Sequence, residues 1–125
     1  MFLKIVGFFC IFILNISQNS YANDNKLIEA VKNGDYYTTR KIIYDFNVNS
    51  IDEQRNSAIF YAIKNEDIDI INLLLSYGAN LNQMTNYNIP IYCLVNYTYN
   101  TQIQKLIKKH SNYNYNNCIA NQRKK

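Results

Sequence analysis

Apolar side chains recur at helical spacing along most of the chain. Ile70, Ile71, Leu74 and Leu75 fall one turn apart in pairs, so they share one face of a helix. Gly78 follows just beyond the last apolar turn, where a glycine commonly ends a helix because it readily takes positive φ. The segment therefore predicts a helix, its end and the start of an extended loop.

The same pattern occurs three times at a fixed step. Leu27, Ile59 and Ile91 are separated by 32 residues each, and the neighbouring apolar positions repeat in register. A fixed period of about 20 to 50 residues is typical of stacked repeat architectures. Each period contains two short helices, and polar, hairpin-like loops connect consecutive pairs. The predicted first helices cover residues 25–32, 57–64 and 90–96, and the predicted second helices cover residues 37–45, 68–77 and 101–109.

The middle copy carries the most specific motif. Residues 57–62 (SAIFYA) resemble the T-P-L-H-x-A box of ankyrin repeats, and residues 68–82 resemble the second helix of that family with its Gly-Ala-Asp close. The first copy is similar to an N-terminal ankyrin cap, and the third keeps the proline of the box as Pro90. The resemblance covers residues 25–111. It implies an all-α solenoid of three stacked helix-turn-helix units, starting near residues 25, 57 and 89.

Several glycines of the ankyrin pattern are replaced in this chain. Arg55 and Tyr87 stand at the hairpin glycine, and Glu66 stands at the glycine between the helices of unit two. A residue other than glycine at positive φ costs about 1 kcal/mol or more. We therefore expect an array less stable than an ideal one.

The resemblance implies a module that binds another protein and has no catalytic activity. Ankyrin arrays use a concave face made of the hairpin tips and the exposed side of the first helices. Tyr97 is the predicted anchor, because aromatic side chains dominate interface hot spots. The candidate partner-binding residues are Lys32, Asn33, Glu53, Gln54, Asn56, Lys64, Asn65, Asn86, Asn88, Asn96 and Tyr97.

No catalytic or metal site can be assembled from the sequence. His110 is the single histidine and ends a predicted helix, and no cysteine lies at ligand spacing from it. The three glycines form no phosphate-binding loop. We expect no enzyme activity, no cofactor, no metal and no small-molecule substrate.

The first 22 residues have the layout of a secretory signal peptide. Lys4 precedes an apolar run over residues 5–14, and Ser20 and Ala22 place small residues before a cleavage site. The run is about half of the ~20 residues that a spanning helix needs, so an uncleaved membrane anchor is the alternative. We expect an exported protein, periplasmic or secreted, with its repeat domain at residues 23–111.

Charge changes the picture at the C-terminal end. The net charge is +4, but every acidic residue lies between Asp24 and Asp69. We interpret the basic end as a solvated helix face and a tail, residues 112–125, that is rich in Asn and Tyr and disordered. One alternative is a binder of nucleic acid or an anionic surface through this basic end. Another is a truncated repeat remnant without a dedicated partner.

Export would place Cys93 and Cys118 in an oxidising compartment, where a disulfide can persist. Their pairing would tie the tail to unit three. The sequence does not say whether their Cα atoms come within bridging range. The interpretation that we favour is a small helix residue at Cys93 and a free thiol at Cys118.

Overall fold

The computed structural model describes residues 25–120. The predicted signal peptide, residues 1–22, and the last five residues of the predicted tail lie outside this range. Between these limits the chain alternates short helices with turns, and the all-α prediction is confirmed. Within residues 25–120, no helix has the length and apolar character needed to cross a membrane.

The helices form three consecutive pairs followed by one further short helix. The positions of the paired helices agree with the predicted ones to within one residue, although the first helix of unit three is a 3-10 helix. The sequence did not predict the last short helix. The helices are α1 (residues 25–32), α2 (Tyr36–Ile42) with the 3-10 helix η1 (Ile43–Asp45), α3 (Ala58–Lys64), α4 (Ile68–Ser76), the 3-10 helix η2 (Ile91–Tyr97), α5 (Thr101–Lys109) and α6 (Tyr115–Ala120).

A side-chain cap starts each second helix. Asp35 accepts a hydrogen bond from the Thr38 amide at 3.0 Å, and Asp67 accepts one from the Ile70 amide at 3.0 Å. Asn100 does the same for α5. Such caps satisfy amides that have no partner inside the helix, and replacing one by Ala costs about 1 kcal/mol.

Two short hairpins precede α3 and η2. Antiparallel bridges join Ile51 to Ser57 and Met84 to Pro90. In the first hairpin Arg55 takes a positive φ of 63°. This was predicted, because Arg55 stands where the ankyrin pattern has a glycine. In the second hairpin the prediction of Tyr87 at this position is wrong, because the left-handed residue is Asn88, with φ 58°. Asparagine is among the residues that best tolerate this conformation.

The displaced turn reflects a one-residue change of the repeat step. Met84 and Pro90 follow Ile51 and Ser57 by 33 residues, whereas the 32-residue step holds between units one and two. The additional residue lies between α4 and the second hairpin, where Gly78 takes φ 85°. The alignment of Ile59 with Ile91 is therefore off by one residue.

The core is a continuous apolar layer between the helix pairs. Ile59, Ile71, Leu74, Ile103 and Ile107 are fully buried. Burying each such side chain contributes about 1.5–3 kcal/mol, and stacked units gain it only against a neighbour. The connecting loops add apolar residues to this layer through Val48 and Leu81.

Asparagine side chains connect the loops of successive units. Oδ1 of Asn49 accepts a hydrogen bond from the Asn80 amide at 2.8 Å, and its Nδ2 donates to the Gly78 carbonyl at 3.1 Å. One unit further on, Oδ1 of Asn82 accepts from the Asn112 amide at 3.0 Å. This series of asparagine hydrogen bonds therefore extends beyond unit three into the segment that was expected to be disordered.

The prediction of disorder is wrong for residues 112–120. Cys118 is the buried residue of α6 and forms a disulfide with Cys93, with the two Cα atoms 5.4 Å apart. The favoured interpretation of a free thiol at Cys118 is therefore wrong as well. Tyr113 packs edge-on against Tyr92, with 6.1 Å between the ring centroids. These contacts give an Asn/Tyr-rich segment a fixed place on the end of the array.

Candidate interaction surface

The structure places the candidate residues at the two ends of the first helices. One group belongs to the hairpins that lead into these helices. The other group lies at or just after their C-terminal ends. The hairpin group is Glu53, Gln54, Asn56, Asn86 and Asn88, and the loop group is Lys32, Asn33, Lys64, Asn65, Asn96 and Tyr97.

A charged cluster joins unit one to the first hairpin. The Tyr61 hydroxyl donates a hydrogen bond of 2.6 Å to Oδ2 of Asp52. The ammonium group of Lys32 lies 3.4 Å from the same oxygen and 4.6 Å from the centre of the Tyr61 ring. It also pairs with Glu29 at 3.1 Å. Lys32, a candidate contact for a partner, is thus already held by three groups of its own chain.

The pKa values in this cluster report the same contacts. Burial disfavours the charge of Asp52, but the hydrogen bonds from Tyr61 and Asn56 and the nearby Lys32 outweigh that cost and hold the pKa of Asp52 below its ordinary value. Burial and the hydrogen bond to Asp52 together raise the pKa of Tyr61. Partial burial works against the charge of Lys32, but its contacts with Glu29, Tyr61 and Asp52 raise its pKa. The cluster is a structural ion network at neutral pH.

Two candidate asparagines have structural roles. Asn56 is 4% exposed, and its Oδ1 accepts a hydrogen bond from the Asn86 amide at 3.3 Å, which links the two hairpins. Asn65 is exposed, but its Nδ2 donates to the Lys32 carbonyl at 3.1 Å. These side chains set the spacing of neighbouring units. The exposed candidates lie on the hairpins and helix ends that these hydrogen bonds hold in place. They are Glu53, Gln54, Lys64, Asn86 and Asn88.

The loop that follows η2 carries two solvent-facing tyrosines. Tyr97 is 61% exposed and Tyr99 is 98% exposed, whereas Thr98 between them is 7% exposed. The Thr98 hydroxyl donates a hydrogen bond to the carboxylate of Glu66 in the preceding unit. Sequence reasoning named Tyr97 and missed Tyr99. No local signal in the sequence identifies it, because its exposure depends on the contact of Thr98 with Glu66, 32 residues earlier in the chain.

Charge is unevenly distributed over this surface. No residue from Ile70 to Gln104 is charged, and this stretch contains the second hairpin and the loop with the two tyrosines. The ion pairs Lys32–Glu29 and Lys32–Asp52 lie at the other end of the array. The candidate surface therefore has a charged half in units one and two and an Asn- and Tyr-rich half in unit three whose own residues are neutral. The Glu66 carboxylate of unit two reaches Thr98 in this second half.

A separate cleft of about 440 Å³ lies outside the candidate surface. The rings of Tyr44 and Tyr77 meet edge-on there, with 5.2 Å between their centroids. None of the candidate residues lines it. Within residues 25–120, no group of three or more His, Cys, Asp or Glu side chains is placed to hold a metal ion.

Comparison with known proteins agrees with the repeat geometry. The family model described as ankyrin repeats (3 copies) matches residues 27–117. The short transient receptor potential channel 4 of mouse and that of human are each 36% identical over 72 residues, which is 53% of this chain. The chain spans 7% of the length of these curated relatives.

A solved structure shows the same fold. The structure of the Legionella effector AnkH superposes with a TM-score of 0.64 over 75% of this chain and 20% of that chain. The sequence identity over this match is 23%, so the likeness concerns the fold.

Proposed function

Because the chain belongs to the ankyrin-repeat family, we propose that it is an exported, non-catalytic module that binds a partner protein through the two ends of its first helices. Ankyrin repeats are generally protein-interaction modules and typically have no enzyme activity. The partner-binding surface consists of the exposed hairpin and loop residues described above. A partner would span the charged half and the neutral half of that surface.

The observation that carries this proposal is the rigid attachment of the hairpins to the first helices. Asp52 holds the first hairpin through its own turn, where its Oδ1 accepts the Gln54 and Asn56 amides at 3.0 Å. Its other oxygen accepts the Tyr61 hydroxyl from α3. The backbone that carries the exposed side chains is held in place before binding, so it loses little conformational entropy when a partner binds, and this preorganisation favours affinity.

Two features support export. The sequence of residues 1–22 has the order of a signal peptide, and the mature chain would begin at Asn23. The Cys93–Cys118 disulfide suits an oxidising compartment, since cytosolic thiols are kept reduced. N-terminal sequencing of the protein recovered outside the cytoplasm tests this. A chain starting at Asn23 is expected, whereas a membrane-bound chain that retains residues 1–22 would contradict cleavage.

Site-specific photo-crosslinking tests the binding surface. A photoreactive amino acid replaces Gln54 at the hairpin tip or, as the matched control, Tyr37 on α2, which is 84% exposed. The proposal expects a defined partner band from position 54 that is missing from position 37. Equal bands from both positions would contradict the surface. No band from position 54 would favour a repeat remnant without a partner.

A further inference from the structure

Three lysines occupy one side of α5, the second helix of unit three. Lys105 precedes Lys108 by three residues and Lys109 by four, so the three side chains are neighbours on the helix surface. All three are exposed, and they lie on the side of α5 that faces away from the buried Ile103 and Ile107. These three residues, the α5 lysines, form a basic surface on the solvent side of the helix.

No carboxylate pairs with the α5 lysines. In the part of the chain that the structure describes, the ion pairs are the two of Lys32, and the sequence contains no Asp or Glu after Asp69. The 33-residue step aligns α5 with α4, and the residues of α4 that correspond to the α5 lysines are Asn72, Leu75 and Ser76. Asp69 aligns with the N-terminal end of α5 instead. The positive charge of the α5 lysines is therefore not compensated by the neighbouring helix.

Folding does not account for the full charge of this surface. The helix dipole favours Lys108 and Lys109, which lie in the last turn of α5. The ammonium group of Lys108 also lies 5.3 Å from the centre of the Tyr113 ring. Lys105 lies in the middle of the helix and repels the other two, because like charges at these spacings destabilise a helix. A binding role for the charge explains what helix stability does not.

Three further cations follow α6 in the sequence. They lie within five residues of Ala120, the last residue of α6, so chain length limits them to about 18 Å from it. The disulfide holds α6 on unit three. The three α5 lysines and these three residues give six positive charges that follow the last acidic residue of the chain. The three residues are Arg123, Lys124 and Lys125.

The chemistry of the α5 lysines suits the headgroups of anionic phospholipids. Lysine is a compact point charge and lacks the planar fork with which arginine pairs with phosphates in nucleic-acid recognition. The outer side of a single helix also has no positively charged groove, which single-strand binders use to follow a nucleic-acid backbone. Clusters of about four to eight Lys and Arg residues are typical of surfaces that bind anionic lipids.

We infer that the α5 lysines dock the protein on the surface of a bilayer that contains anionic phospholipids. The basic residues after α6 add to this attraction. Docking is electrostatic and reversible, and each lysine near the surface strengthens it roughly fivefold. None of the α5 lysines belongs to the candidate partner-binding residues, so the inference does not depend on the proposed function. Binding of an anionic surface then accompanies partner binding and is not an alternative to it.

Co-sedimentation with lipid vesicles tests the inference. The exported, disulfide-bonded chain is mixed with vesicles of equal parts phosphatidylglycerol and phosphatidylcholine, or with vesicles of phosphatidylcholine alone. The neutral vesicles measure any binding that does not depend on charge, such as that of a retained apolar leader. The titration is repeated at low and at high salt.

Two triple variants separate the position of the charge from its total. The first removes the α5 lysines and is Lys105→Gln/Lys108→Gln/Lys109→Gln. The matched control has the same net charge, because it removes three exposed cations of unit one, and is Lys26→Gln/Arg40→Gln/Lys41→Gln. Thermal unfolding checks the fold of both. The double variant Lys105→Gln/Lys109→Gln is made as well, because it keeps the contact of Lys108 with Tyr113.

The parent chain is expected to bind the mixed vesicles far more tightly than the neutral ones, and rising salt should weaken this binding steeply. The binding constant should fall about a hundredfold in the α5 triple variant and about 25-fold in the double variant, a factor of about five for each lysine. The matched control should lose less than about threefold, because the attraction falls off within a Debye length of the bilayer.

Three results would overturn the inference. Equal losses in the two triple variants would show that binding follows net charge alone and not the α5 lysines. Equal binding of the parent chain to mixed and neutral vesicles would exclude a preference for anionic lipid. Tighter binding of the parent chain to duplex DNA than to mixed vesicles, lost in the α5 triple variant, would assign the α5 lysines to nucleic acid.

Discussion

The Tyr61 hydroxyl and the Asp52 carboxylate meet at 2.6 Å, and this contact connects helix α3 to the hairpin that precedes it. Tyr61 is 9% exposed, so water replaces the lost partner poorly. Tyr61→Phe keeps the ring and removes the hydroxyl. We expect a loss of about 1.5 kcal/mol in the free energy of unfolding, the lower end of the range for a hydrogen bond to a charged group.

Urea unfolding followed by circular dichroism measures this loss. Tyr37→Phe is the matched control, because Tyr37 is 84% exposed. An equal change in stability for the two variants would show that the Tyr61–Asp52 contact contributes nothing specific.

Asp52 also predicts how stability depends on pH. Its pKa is lower in the folded chain than in the unfolded chain, so its contribution is present above the unfolded pKa and is lost as the pH falls through the folded pKa. The free energy of unfolding should therefore drop below about pH 4. Asp52→Asn removes this charge and should make the free energy of unfolding less dependent on pH in the acid range. An equal loss of stability in the two proteins as the pH falls would show that other carboxylates cause it.

Backbone strain in the hairpins gives a third prediction. Arg55 takes φ 63° without being a glycine, which costs about 1 kcal/mol or more. Arg55→Gly should raise the free energy of unfolding by about 0.5–1 kcal/mol, since the added freedom of glycine in the unfolded chain offsets part of the gain.

Asn88→Gly is the comparison for this variant. Asn88 has a similar φ of 58°, but asparagine tolerates this region better than arginine. Its gain in chemical denaturation should be smaller than that of Arg55→Gly. The reverse order, or destabilisation by Arg55→Gly, would show that the arginine side chain makes a stabilising contact that outweighs the strain.

The helices of the three pairs were predictable from sequence, whereas the step between units two and three was not. Apolar spacing alone located α4 and α5, because the buried faces of both helices follow the helical period. In α5 the adjacent residues Leu106 and Ile107 are both apolar, so Leu74 aligns with one at a step of 32 and with the other at 33. Burial distinguishes them, since Ile107 is fully buried and Leu106 only partly.

Features that depend on contacts between residues far apart in the chain could not be predicted from the sequence. The full exposure of Tyr99 follows from the placement of Thr98, which is held by Glu66, 32 residues earlier in the chain. The left-handed residue of the second hairpin is Asn88 and not Tyr87, because the step between units two and three is 33 residues and not 32. Composition identified residues 112–120 as rich in Asn and Tyr and predicted disorder, but the disulfide, the contact of Tyr113 with Tyr92 and the hydrogen bond from the Asn112 amide to Asn82 place them.

The Cys93–Cys118 disulfide gives the last prediction. It closes a loop with a sequence separation of 25 and attaches α6, whose six residues are too few for a stable isolated helix. Reduction, or the Cys93→Ser/Cys118→Ser variant, should lower the free energy of unfolding by about 3 kcal/mol, mainly because the unfolded chain loses its cross-link. Hydrogen exchange should become fast in residues 115–120 and stay slow in α3 and α4, which pack in the centre of the array. A reductant should lower the stability of the parent protein and leave that of the double variant unchanged. Continued protection of α6 from exchange after reduction would show that noncovalent contacts, such as that of Tyr113 with Tyr92, hold it without the disulfide.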